Sequence, residues 1–164
     1  MRHTRESTLS YLKENNFPKV FIDLFEENST PECFDILFSR PEELYLCSEE
    51  EQVGIIPKEY QPLWDDGNFG AIFCAIPDSN EIAKVYVEGG ETKYESYNHF
   101  AAIALVRVWE LEWDNLMNSF AQALEVDGRQ KILSFIETNH EVMDYKDFEL
   151  ALKDYVAILN EENA

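Results

Sequence analysis

Asp65-Asp66-Gly67-Asn68-Phe69-Gly70-Ala71-Ile72-Phe73-Cys74-Ala75-Ile76 is the stretch whose reading decides the fold. Its first four residues are turn formers: carboxylate and carboxamide side chains bond back to local amides, and glycine reaches backbone angles closed to other residues. Phe69 to Ile76 then form one unbroken apolar run of strand length, which predicts a buried central strand. Downstream, Ile82, Lys84 and Tyr86 alternate with Ala83, Val85 and Val87 as far as Gly89-Gly90, a two-residue loop suited to positive φ. Glu91 to Tyr97 resumes the alternation, so the pair reads as a hairpin and the middle of the chain as a mostly antiparallel sheet.

Helical signals lie on both sides of it. Thr4 to Phe17 reads as a short amphipathic helix with Thr4 or Ser7 as its cap, and Pro18 opens a second whose apolar stripe is Val20, Phe21, Leu24 and Phe25. Cys33 to Phe38 and Glu43 to Cys47 are short apolar runs that fit either strands or one-turn helices, with Ser48-Glu49-Glu50-Glu51 as punctuation after the second. After Asn98 the apolar residues Phe100, Ile103, Val106, Val108, Trp109, Trp113 and Leu116 fit a largely buried helix. The alternation from Arg107 to Trp113 also fits a strand; length favours the helix. Arg129 to Thr138, and Asp144 or Tyr145 to Asn160, complete the pattern as amphipathic helices. The fold class is therefore α+β, an antiparallel sheet flanked by N-terminal and C-terminal helices. The length of 164 residues points to one domain spanning 1–164, with 129–164 as a C-terminal helical extension.

Composition narrows the function. Thirteen Lys and Arg against 33 Asp and Glu give a net charge of -20, the wrong sign for attraction to phosphate backbones or anionic lipid. Neither nucleic acid nor a membrane is expected as a direct partner. The polar start Arg2-His3-Thr4-Arg5-Glu6 has no apolar signal stretch, and a cytoplasmic location is expected. Cys33, Cys47 and Cys74 form no C-x-x-C pair, and His3, His99 and His140 show no ligand spacing, so no metal and no cofactor are expected. Asp65-Asp66-Gly67-Asn68 lacks the alternating oxygens and final Glu of a calcium loop, and no glycine-rich nucleotide motif is present. No residue qualifies as catalytic, and the chain reads as a binding protein rather than an enzyme.

The acid is unevenly spread. Residues 31–66 hold ten carboxylates against Arg40 and Lys58, a net of -8. Within that block Glu42, Glu43, Glu49, Glu50, Glu51, Glu59, Asp65 and Asp66 are interleaved with Tyr45, Tyr60 and Trp64. Crowded carboxylates repel one another, and a Lys/Arg-rich partner relieves that cost and speeds encounter, while a neighbouring aromatic supplies a desolvated anchor. The eight acids and Trp64 are the expected partner-binding residues, set against the plainer reading of a solvated acidic surface.

The segment Ile56-Pro57-Lys58-Glu59-Tyr60-Gln61-Pro62-Leu63-Trp64, continuing through Asp65-Asp66-Gly67-Asn68-Phe69-Gly70 into Ala71-Ile72-Phe73-Cys74, resembles the core of the SMI1/KNR4, or SUKH, superfamily. There a short apolar segment leads into an acidic-glycine turn and then a buried strand. The likeness continues through the hairpin Ala83 to Val87 and Tyr94 to Tyr97 and on to Asn98-His99-Phe100, similar to the family's capped helix after its sheet. The acidic stretch before Asp65 and the helices after Asp127-Gly128 are additions to the family pattern. The resemblance implies a SUKH-like α+β domain and an immunity protein that neutralises a basic, nuclease-like bacterial toxin by occluding its surface. An adaptor or regulatory domain, and an acidic nucleic-acid mimic that binds basic proteins, are the alternatives.

Overall fold

A computed structural model describes residues 2–163. The chain gathers into two compact units divided between Glu95 and Ser96. The class is α+β: five helices precede a four-stranded antiparallel sheet in the first unit, and the second is helical.

In the first unit, α1 (Arg5–Glu14) starts at Thr4, whose hydroxyl accepts from the Ser7 amide while Ser7 Oγ accepts from the Thr4 amide. That reciprocal box satisfies two amides that a helix start leaves unpaired. Helix α2 (Lys19–Glu26) follows Pro18 and ends at Glu27 in the left-handed region, φ 62°. The two ambiguous runs are short helices, α3 (Phe34–Leu37) and α4 (Glu42–Leu46). The acidic triplet read as punctuation instead opens a further helix, α5 (Glu49–Ile55).

The sheet is a meander, β1 (Gln61–Asp65), β2 (Ala71–Ala75), β3 (Ile82–Tyr86) and β4 (Glu91–Tyr94), in spatial order β1-β2-β3-β4. All five residues of β2 are buried, as the apolar run demands. Strand β1 has no counterpart in the sequence reading; its pairing with β2 is irregular between Pro62 and Trp64. Because successive strand residues face opposite ways, β2 serves two apolar clusters. Phe73 lies in an aromatic cluster with Trp64, Phe21, Phe34 and Phe38, while Ile72 and Cys74 pack with Leu44, Ile56, Tyr60, Ala83 and Val85. Gly67 sits at φ 86°, and a Cβ there would lie 2.3 Å from the Ile36 carbonyl oxygen, so only glycine fits this turn.

The second unit opens with Ser96, whose Oγ accepts from the His99 amide and caps α6 (Tyr97–Glu110). The helix reading of this segment holds, but it stops at Glu110: Glu112 turns left-handed at φ 58°, leaving Trp113 and Leu116 outside it. A 3-10 turn at Asp114–Leu116 leads into α7 (Met117–Ala123), a helix absent from the sequence reading. Helices α8 (Arg129–Asn139) and α9 (Tyr145–Asn163) follow where their periodicity places them. Asn98 clasps the unit: its Oδ1 accepts from the Asp127 amide at 3.0 Å and its Nδ2 donates to Asn160 Oδ1 at 3.1 Å. Asn160 in turn donates to the capping Ser96.

Candidate functional site

The acidic residues are held by α4 and α5. In α4, Glu42 and Glu43 occupy the first turn, where the exposed amides favour carboxylates. Leu44 faces inward, fully buried, and Leu46, two residues and about 200° further round the helix, points out and is 83% exposed. Ser48 caps α5: its hydroxyl accepts from the Glu51 amide, and Glu51 Oε2 accepts from the Ser48 amide at 2.7 Å. These bonds from Ser48 hold the Glu51 carboxyl below its ordinary range. Glu49 and Glu50 share that first turn, and Val53 one turn on is 47% exposed. Gln52 is buried and donates to the Leu44 carbonyl, tying α5 to α4.

Glu42, Glu43, Glu49, Glu50, Glu51 and Glu59 are all exposed. Glu42 pairs with Arg40 at 2.9 Å, and Arg40 also reaches Glu27 at 2.7 Å. Among the described residues, Glu43, Glu50 and Glu59 make no ion pair. Their charge is open to a cation from outside.

The other expected site residues lie elsewhere, and the expectation is corrected there. Trp64 is fully buried, stacked on Phe21 and edge-on to Phe38, so it is a core residue and no surface anchor. Asp65 is buried beside it; its Oδ1 accepts from Ser39 Oγ at 2.5 Å and from the Gly67 amide at 2.8 Å. Burial raises its carboxyl above the ordinary range, against the lowering from those two bonds. Asp66 accepts from the Gly70 amide and lies 3.9 Å from Lys84. Tyr60 is buried with its hydroxyl donating to Glu91, and burial raises the Tyr45 hydroxyl pKa. The aromatics interleaved with the acids thus build the interior. The physical reason is β1, which carries Leu63, Trp64 and Asp65 under the helices.

Leu46 and Val53 are the apolar groups that the sequence reading missed. The signal was present: once Glu42–Leu46 is taken as a helix with Leu44 inward, Leu46 has to face solvent. The arrangement is suited to docking, an exposed apolar knob on the same short helices as uncompensated carboxylates. Cys74 is buried in β2, and burial pushes its thiol pKa up, away from a reactive thiolate. Among the described residues, no three His, Cys, Asp or Glu are placed to hold a metal ion, and no helix is long and apolar enough to cross a membrane.

No protein-family model, curated protein or solved structure matches this chain.

Proposed function

We propose that the protein is a non-enzymatic binding module that docks a basic protein on its α4–α5 face, and that it serves as an immunity protein against a nuclease-like toxin. The observation that carries this reading is Leu46: a leucine 83% exposed on a helix whose first turn bears Glu42 and Glu43. A large apolar side chain held in water on a rigid turn is costly, and burial in a partner's pocket recovers that cost. The exposed Glu43, Glu49, Glu50 and Glu51, close to Leu46 in sequence, select a partner rich in Lys and Arg and accelerate its approach. A surface that binds nucleic acid has that chemistry, so covering it blocks the toxin's access to its substrate. The SUKH-like core stretch supports the same role.

The test is capture of partners from the lysate of the protein's own organism by wild type and by Leu46→Asp, followed by a nuclease assay on whatever wild type alone retains. A basic protein retained by wild type, released by the variant and silenced on binding supports the proposal. A captured set that ignores the variant, or whose activity persists when bound, overturns it.

A further inference from the structure

The residues ahead of α1, Arg2 and His3, are hydrogen-bonded to the α4–α5 junction. Gln52 is 1% exposed, and its carboxamide addresses both main-chain groups of one residue. Oε1 accepts from the His3 amide at 2.8 Å, and Nε2 donates to the His3 carbonyl at 3.0 Å as well as to the Leu44 carbonyl at 2.9 Å. These bonds address main chain and not the side chain between the two groups. Beside it, the Arg2 guanidinium donates to the Tyr45 carbonyl at 2.6 Å in the last turn of α4. Leu46 and the first-turn glutamates of α5 are its neighbours in sequence. Thr4 closes its capping box with Ser7, so the cap of α1 does not draw on residues 2 and 3.

We propose that the α4–α5 junction is a binding site for an extended, arginine-bearing peptide segment, occupied in this structure by the chain's own Arg2 and His3, which a partner's segment displaces. The proposal rests on the docking reading above and gives its partner a chemistry. Main chain goes to Gln52, one guanidinium goes to the α4 carbonyl, and flanking cations go to Glu43 and Glu50, which have no ion pair of their own among the described residues.

The probe is a fluorescein-labelled eight-residue peptide of alternating Arg and Thr, titrated into the full chain and followed by anisotropy and by amide NMR. As the peptide saturates, the His3 amide resonance is expected to move to its position in unstructured chain while the Gln52 side-chain amide stays shifted. Arg2→Ala should bind the peptide roughly two- to fivefold more tightly than Lys13→Gln, which removes the same charge at the far end of α1. A peptide that saturates with the His3 amide unmoved, equal affinities for Arg2→Ala and Lys13→Gln, or no binding to any form overturns the proposal. Glu43→Gln/Glu50→Gln separates it from the docking reading. Full wild-type affinity in that variant defeats the carboxylate face itself, whereas weakened binding with an unmoved His3 amide defeats only the displacement.

Discussion

The indole of Trp64 lies flat on the ring of Phe21, centroids 3.6 Å apart and planes 8° from parallel. The stack joins β1 to α2 and is ringed by Phe17, Phe38 and Phe73. Trp64→Ala should cost about 3–5 kcal/mol of stability, and Trp64→Phe distinctly less, since the ring that meets Phe21 is kept. Urea unfolding followed by circular dichroism measures both. Trp64→Phe should bind the partner as wild type does, because the residue belongs to the interior.

Gly67→Ala should destabilise the first unit by more than about 2 kcal/mol, because its Cβ would be forced onto the Ile36 carbonyl at a backbone angle that alanine resists. Gly89→Ala is the comparison: its φ is also positive at 105°, but nothing lies within 4 Å of the added carbon, so the loss should be visibly smaller. Paired thermal melts decide it.

Asp65 is a buried carboxylate whose native pKa is raised, so the folded state holds its proton at pH values where the unfolded chain has released it. Stability from this group is therefore highest in acid and falls as pH rises from the ordinary carboxylate value of 3.8 through the raised native one. Asp65→Asn removes that fall. Urea midpoints between about pH 3 and pH 7 should show the variant gaining on wild type as pH rises, and parallel profiles would contradict the assignment.

Ser48→Ala removes the cap of α5 and should cost about 1 kcal/mol. The loss is local, so hydrogen exchange at Gln52 and Val53 should quicken more than exchange in β2. Partner affinity should drop with it, although Ser48 touches no partner in this reading, because α5 positions Glu49, Glu50 and Glu51.

Leu46→Ala should leave stability within about 0.5 kcal/mol, as an exposed side chain has little packing to lose. Partner affinity should fall about tenfold or more. Glu43→Gln/Glu50→Gln should instead act on association, slowing it and flattening its dependence on ionic strength. Stopped-flow rates in low and high salt separate the two effects.

Much of the fold was legible because it is local. The turn chemistry at Asp65-Asp66-Gly67-Asn68, the apolar run into β2 and the hairpin at Gly89-Gly90 each need only their neighbours, although the hairpin connection runs from Val87 to Gly90 rather than over two residues and β4 stops at Tyr94, short of the expected Tyr97. Helices α1, α2, α6, α8 and α9 announce themselves by periodicity. Strand β1 did not, because Pro62 interrupts its pattern and its burial is set by α1 and α2, which are remote in sequence. Helix α5 was hidden because three consecutive glutamates look like solvent-facing punctuation, whereas behind the Ser48 cap they are a first turn. The candidate site was half legible for the same reason. The exposure of Glu42, Glu43, Glu49, Glu50, Glu51 and Glu59 follows from their charge, but which aromatic would face outward depends on tertiary packing, and Trp64 went inward while Leu46 stayed out.

Ser39 and Asp65 exchange two backbone bonds, 2.8 and 3.2 Å, along the outer side of β1, where Pro62 also lacks an amide to offer. At the other margin β4 is four residues long and carries Glu91 and Lys93. An unguarded margin is a template on which neighbouring molecules stack into aggregates. With one margin stapled and the other short and charged, the sheet offers little to such growth, and crowding at high concentration is resisted by the geometry of the backbone as well as by net charge.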